Sequence, residues 1–148
     1  MPNAFDAPHT ESFLSTLPEA ECFELLAVAT VGRIGFVSPA GLEIIPVNYR
    51  LGAGHRIFVR TAPGGVLAQL AELDGPVAFE VDYHADDFQI AWSVLMQGTI
   101  SLLDAAAAAA YADLRLPPVP WPGPASSLPV QFVPRTVSGR RLHRTSQE

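Results

Sequence analysis

The chain of 148 residues contains no lysine, and all nine of its basic residues are arginine. Schiff-base and lysine-base chemistry are therefore excluded. Cys22 is the single cysteine, which rules out an internal disulfide and a thiolate metal cluster. Its place in an apolar helical pattern points to burial rather than catalysis. Charge is scarce, at 16% of residues against 49% apolar, where an average domain carries about 25% charged residues. So little surface charge beside so much apolar side chain predicts a second subunit. The formal net charge is −6, and the only basic cluster is Arg140-Arg141 with Arg144, so nucleic acid is not an expected partner. No apolar run reaches the ~18 residues that would span a bilayer. Met1 to Thr10 has neither a basic start nor an apolar segment, and a cytoplasmic protein is expected. His9, His55, His84 and His143 are scattered without a His-x-x-x-His pair, which argues against a zinc enzyme. Ser93 lacks the Gly-x-Ser-x-Gly turn of a hydrolase nucleophile.

What is present reads as one domain, long enough to bury roughly 70% of the surface its unfolded chain exposes. Residues 1–10 form a loose tail. Ser15 or Thr16 is expected to cap a helix entered through Pro18, with Glu19 and Glu21 in its first turn and Phe23, Leu25, Leu26 and Val28 as its apolar stripe. β-Branched and aromatic residues then predict strands over 31–38, 43–51 and 56–61, separated by Pro39-Ala40-Gly41 and Gly52-Ala53-Gly54. A short helix over 66–73 stops at Asp74-Gly75-Pro76. Strands over 77–83 and from Phe88 to about Leu103 follow, with Gly98 available for a bulge. Ala105 to Ala110 predicts a helix through about Leu114. Six of the thirteen residues from Pro117 to Pro129 are proline, which predicts a stiff surface arm. Strands over 130–134 and 136–143 end the chain. Short antiparallel strands with few helices suggest a barrel or a sandwich rather than a doubly wound sheet.

The segment Ile44 to Arg50, followed by Ile57-Phe58-Val59-Arg60-Thr61-Ala62-Pro63-Gly64-Gly65, carries the clearest chemistry. Two strands deliver a guanidinium and a hydroxyl just before a glycine loop and a helix start. Those donors suit a phosphate, since first-turn amides of a helix have no partner within it. The most acidic patch, Glu80, Asp82, His84, Asp86 and Asp87, matches no metal-ligand spacing and reads as a solvated strand end.

These segments resemble the flavin-binding split barrel of pyridoxamine 5'-phosphate oxidase-like proteins. The similarity runs from about Glu21 to Arg144. It is carried by Val31-Gly32-Arg33-Ile34-Gly35-Phe36, Pro46-Val47-Asn48-Tyr49, the Arg60 loop, Val77 to Asp82, Trp92-Ser93-Val94 and Gly139-Arg140-Arg141-Leu142. The resemblance implies a mainly β (α+β) fold, a six- to seven-stranded antiparallel split barrel with a few short flanking helices. It also implies a homodimer with two flavin sites at the subunit interface, binding FMN or a deazaflavin and acting on a small organic substrate, with nitroaromatic reduction as one case. The alternative is a non-catalytic module that holds flavin, deazaflavin or haem. The resemblance places Pro46, Val47, Asn48 and Tyr49 along the flavin ring and Arg60, Thr61, Gly65 and Val66 at its phosphate. Trp92 and Ser93 approach the ring system, and Arg140 and Arg141 reach a site from the other subunit. Arg141-Leu142-His143 also resembles the Arg-x-His that handles substrate in true oxidases of the family. One departure matters: where relatives often carry a lysine that neutralises the phosphate, this chain has Gly65 and Val66. A lost charge-assisted contact is worth about 1.5–3 kcal/mol. Arg33, Arg50, Arg140 or Arg141 are the candidates to replace it.

Overall fold

The computed structural model describes residues 11–85, 90–114 and 127–145. The expected tail over 1–10, the end of the polar bend at Asp86-Asp87 and most of the proline arm lie outside those residues. The elements in chain order are β1 (Glu11–Leu17), α1 (Glu19–Val28), β2 (Val31–Ser38), β3 (Gly41–Gly52), β4 (Arg56–Thr61), α2 (Val66–Glu72), β5 (Pro76–His84), β6 (Ile90–Leu102), α3 (Ala105–Ala112) and β7 (Leu128–Thr145).

All pairings are antiparallel, in the order β1-β7-β4-β3-β2-β5-β6, and β6 pairs back onto β7. Six strands thus form a ring, with β1 added outside it. The ring is unevenly sewn. β6 and β7 pair over nearly their whole lengths, whereas β2 and β5 share only Arg33–Glu80, Ile34–Phe79 and Gly35–Ala78. On its other edge β7 pairs with β4 through Leu128–Phe132 and with β1 through Gly139–Thr145, leaving a gap between those partners. This is the split barrel that the sequence resemblance implies.

Strand alternation fills the ring. Ile34 and Phe36, Val47 and Tyr49, Ile57 and Val59, Phe79 and Val81, Val94 and Met96, and Val130 and Phe132 are all buried in one core. α1 closes one end of the ring with Cys22, Phe23 and Leu26 buried beneath it. Val28, expected in its apolar stripe, is exposed. Gly139 lets α1 approach β7, because a Cβ there would press on Cys22 Sγ and Leu17. α3 is capped by Asp104, whose carboxylate accepts from the Ala107 amide at 2.7 Å, and lays Tyr111 edge-on against Phe58.

Three sequence expectations are corrected. Ser15 and Thr16 do not cap α1: they lie in β1, opposite Arg141 and Arg140 of β7, and Pro18 holds the cap position. The two expected terminal strands are one strand of 18 residues. Pro129, assigned to the proline arm, is the second residue of that strand and pairs with Arg60. Proline is tolerated there at a strand start, and Pro134 is tolerated because it sits at the β-bulge opposite Gly98. At that bulge a Cβ on Gly98 would overlap the Val133 carbonyl, so only glycine fits.

Candidate functional site

The candidate residues divide between the two faces of the sheet. On β3 the buried Val47 and Tyr49 face the core, while Pro46 and Asn48 face outward with Leu42 and Ile44. The last pair between β3 and β4 is Tyr49 with Val59, and one step beyond it Asn48 and Arg60 both leave the outer face. Arg60 is exposed, and Thr61, next on β4, leaves the opposite face toward the loop. There its hydroxyl lies 3.8 Å from where a Cβ on Gly65 would sit. Ser93 and Arg140 are directly paired across β6 and β7, as are Trp92 and Arg141, so the first pair shares one face and the second pair the other. The structure therefore brings Pro46, Asn48 and Arg60 together, and separately Trp92 with Arg141. It does not bring all twelve to one place within a single chain.

The loop into α2 is tight. The Gly65 amide donates to the Ala62 carbonyl at 3.0 Å, and the Gln69 side-chain amide donates to the Gly64 carbonyl at 3.0 Å. Gly64 has φ +74°, a left-handed conformation that glycine adopts at no cost. A Cβ on Gly65 would come within 3.1 Å of the Ala62 oxygen, so the loop is shaped around a missing side chain. Val66 occupies the start of α2.

Tyr49 cannot touch a ligand on the outer face, because its ring is 1% exposed. Its hydroxyl donates to the Leu26 carbonyl of α1 at 2.7 Å, and its ring meets Phe79 edge-on at 5.3 Å. Burial pushes its phenol well above the ordinary range. Its contribution to the candidate site is the backbone it fixes. Arg33, a candidate to replace the missing lysine, is already engaged. Its guanidinium donates to Glu80 at 3.0 Å and to Asp82 at 3.3 Å, which holds it still more firmly protonated. Burial, and then the neighbouring Asp82, raise the Glu80 carboxyl above its usual range against the opposing pull of Arg33. Arg50 donates to the Tyr49 carbonyl at 2.9 Å.

At the far end of β5 and β6, Tyr83 stacks on Trp92 with centroids 6.3 Å apart, and Arg141 follows Trp92 in the same cross-strand row. Arg141 also lies 3.8 Å from Glu21 of α1. The sequence reading missed Tyr83, whose only signal was an aromatic at a strand end. It also missed a groove of about 670 Å³ on the outer face, running from Ile44 and Val37 across Ala78 to Gln97 and Arg135. Among the described residues no cluster of three or more metal-ligating side chains occurs, and no helix is long and apolar enough to cross a membrane.

A split ring with this loop defines a class, and comparison with known proteins specifies it. The family model for pyridoxamine 5'-phosphate oxidase matches residues 18–141. The chain belongs to that family. Among solved structures it is similar to the FAD binding protein of Mycobacterium smegmatis, with 29% identity, TM-score 0.71, and coverage of 86% of this chain and 98% of that one. A candidate pyridoxamine 5'-phosphate oxidase of Corynebacterium glutamicum is 32% identical with TM-score 0.66, covering 86% of this chain and 92% of that one. A FAD-binding protein of Mesorhizobium loti shares the fold at 19% identity and TM-score 0.67, covering 89% and 98% of the two chains. No protein of curated function matches the chain.

Proposed function

We propose that the chain is a flavin-dependent oxidoreductase that binds FMN, FAD or a deazaflavin in a cleft shared by two copies and acts on a small organic substrate. Nitroaromatic reduction is the case the family resemblance suggests. The observation that carries the reading is Arg60: an exposed guanidinium that leaves β4 immediately before the tight Ala62–Gly65 loop, on the same face as Pro46 and Asn48. The FAD-binding relative at 29% identity supports a flavin.

The residues present fit such a group. Arg60 supplies a bidentate donor for a phosphate oxygen. Thr61, the next residue, carries its hydroxyl to the same loop, where a second donor for a phosphate is available. The outer face of β3, from Pro46 to Asn48, offers a flat apolar and amide edge for a ring. When bound, the flavin supplies hydride chemistry, and the protein supplies orientation and electrostatics. Tyr49 holds that strand against α1, and Arg33 keeps the Glu80 and Asp82 carboxylates engaged beside Pro46, its direct partner on β3.

The test is spectroscopic. Protein purified with or without added FMN or FAD should show bands near ~370 and ~450 nm, the absorption of an oxidised flavin. Arg60→Ala should weaken flavin binding at least about tenfold, as expected for loss of a charge-assisted phosphate contact. A protein that takes up neither flavin overturns the reading, and unchanged affinity in Arg60→Ala shows that the phosphate lies elsewhere. The second reading, a module that holds a flavin without turning it over, is favoured by one feature: Gly65 and Val66 stand where a charge would be expected. It predicts a bound flavin that, once reduced, no nitroaromatic acceptor reoxidises faster than free flavin.

A further inference from the structure

Beside the candidate ring edge stands a group of charges that binding a flavin does not itself require. Arg33 on β2 is the direct partner of Pro46 on β3, and on its other side it is the direct partner of Glu80 on β5. Direct partners share a face, so all three leave the outer face, with about 4.8 Å between neighbouring strands. Asp82, two residues past Glu80, leaves the same face. One nitrogen ties the group together: Arg33 Nη1 donates to Glu80 Oε2 at 3.0 Å and to Asp82 Oδ1 at 3.3 Å. Two carboxylates against one guanidinium leave the trio with one net negative charge. The other cations of this region are placed elsewhere. Arg60 stands at the phosphate end beyond Asn48, Arg50 donates to the Tyr49 carbonyl, and Arg140 is two strand steps from Asp82, across Ser93.

We infer that the Arg33–Glu80–Asp82 trio sets the reduction potential of a flavin held along Pro46 and Asn48, keeping it lower than neutral surroundings would. Two electrons and one proton convert the neutral oxidised ring to a reduced ring that carries a negative charge at neutral pH. Net negative charge on the neighbouring strand repels that added charge and leaves the oxidised ring unaffected. A flavin so placed gives up its electrons more readily. The Arg33 and Asp82 side chains are each 51% exposed and that of Glu80 29%, so the repulsion is partly screened by water and weakens in salt. The three are positioning residues that act through their field, and Arg33 moderates the two carboxylates as well as holding them. The inference rests on the flavin reading above and adds what sets the energy of the bound group.

The test is potentiometric. Full-length protein loaded with FMN or FAD is reduced with dithionite beside a reference dye at about pH 8, where carboxyl groups are ionised. The midpoint gives the ratio of affinities for reduced and oxidised flavin. Glu80→Gln and Asp82→Asn should each shift that ratio about three- to tenfold toward the reduced form, a rise of roughly 15–30 mV for two electrons. Arg33→Gln, which leaves both carboxylates uncompensated, should shift it by a similar factor in the opposite direction, while Arg33→Lys should stay within about twofold of wild type. General loosening of the site would not produce opposite signs. Glu24→Gln, the same change of charge on α1, should also stay within about twofold. All shifts should shrink in about 0.5 M salt. Shifts of one sign throughout, no shift, or an equal shift in Glu24→Gln overturns the inference. A protein that binds flavin with an unmoved midpoint loses this inference and keeps the flavin reading, whereas one that takes up neither flavin loses both.

Discussion

The two faces of β3 have comparable side chains and opposite fates. Val47 and Tyr49 point into the ring, are almost wholly buried, and are fixed by α1 and Phe79. Leu42 and Ile44, equally apolar, face outward and touch little of their own chain. The inward face is complete within one chain. The outward face leaves Leu42 and Ile44 exposed, ahead of the more polar Asn48 and Arg50 on the same side. Apolar burial contributes roughly 25 cal/mol per Å², so the inward set stabilises the fold and the outward set is available to stabilise an assembly.

Four substitutions or conditions sharpen that contrast, beginning with the most severe. Gly98→Ala would drive a Cβ into the Val133 carbonyl and force the bulge to be rebuilt. It should cost at least about 3 kcal/mol in chemical denaturation, and a variant of wild-type stability would show that the bulge is misplaced. Tyr49→Phe keeps the ring but leaves the Leu26 carbonyl without its donor. The expected loss is about 1–2 kcal/mol, or a fall in Tm of roughly 2–8 °C for a chain of this size. If Tm does not move, the hydroxyl contributes nothing net.

The third prediction concerns pH. The Tyr49 phenol is raised in the folded state by burial, so the unfolded chain loses that proton first as pH climbs. Stability from this group is intact below its ordinary value of about 10 and declines as pH rises beyond it. Tyr49→Phe should abolish that part of the alkaline decline, measured as unfolding free energy against pH. Ile44→Ser should have the smallest effect on the fold itself, within about 0.5 kcal/mol at protein concentrations where the chain is monomeric. At higher concentration it should lower Tm and remove its concentration dependence. Equal Tm at all concentrations for both proteins would erase the distinction between the faces.

Much of this was legible in the residues. The bounds of β2 and β4, the stop at Asp74-Gly75 and the glycine bulge follow from β-branched runs and from glycine chemistry, which are local signals. β1 was not legible, because Ser15, Thr16 and Pro18 also make a plausible helix entry. What decides their fate is pairing with Gly139 to Arg141, at the other end of the chain. Pro129 and Pro134 misled for a related reason. A proline's local cost depends on whether its missing N–H was needed, and only the register shows that one begins a strand and the other sits at a bulge. The candidate site was readable as a set of residue types but not as a place. Which of Val47 and Asn48 faces out depends on the phase of β3, and Arg33, a free cation on paper, spends its charge on Glu80 and Asp82.

The final strand closes everything. β7 is the shared neighbour of β1, β4 and β6, so neither the ring nor its first strand can be completed until Leu128–Thr145 is available. During synthesis the earlier segments must wait as unpaired edges, and premature truncation should leave no smaller folded version of the molecule behind. A chain built this way cannot close its barrel until β7 is in place, and its dependence on protection in that interval is set by topology rather than by final stability.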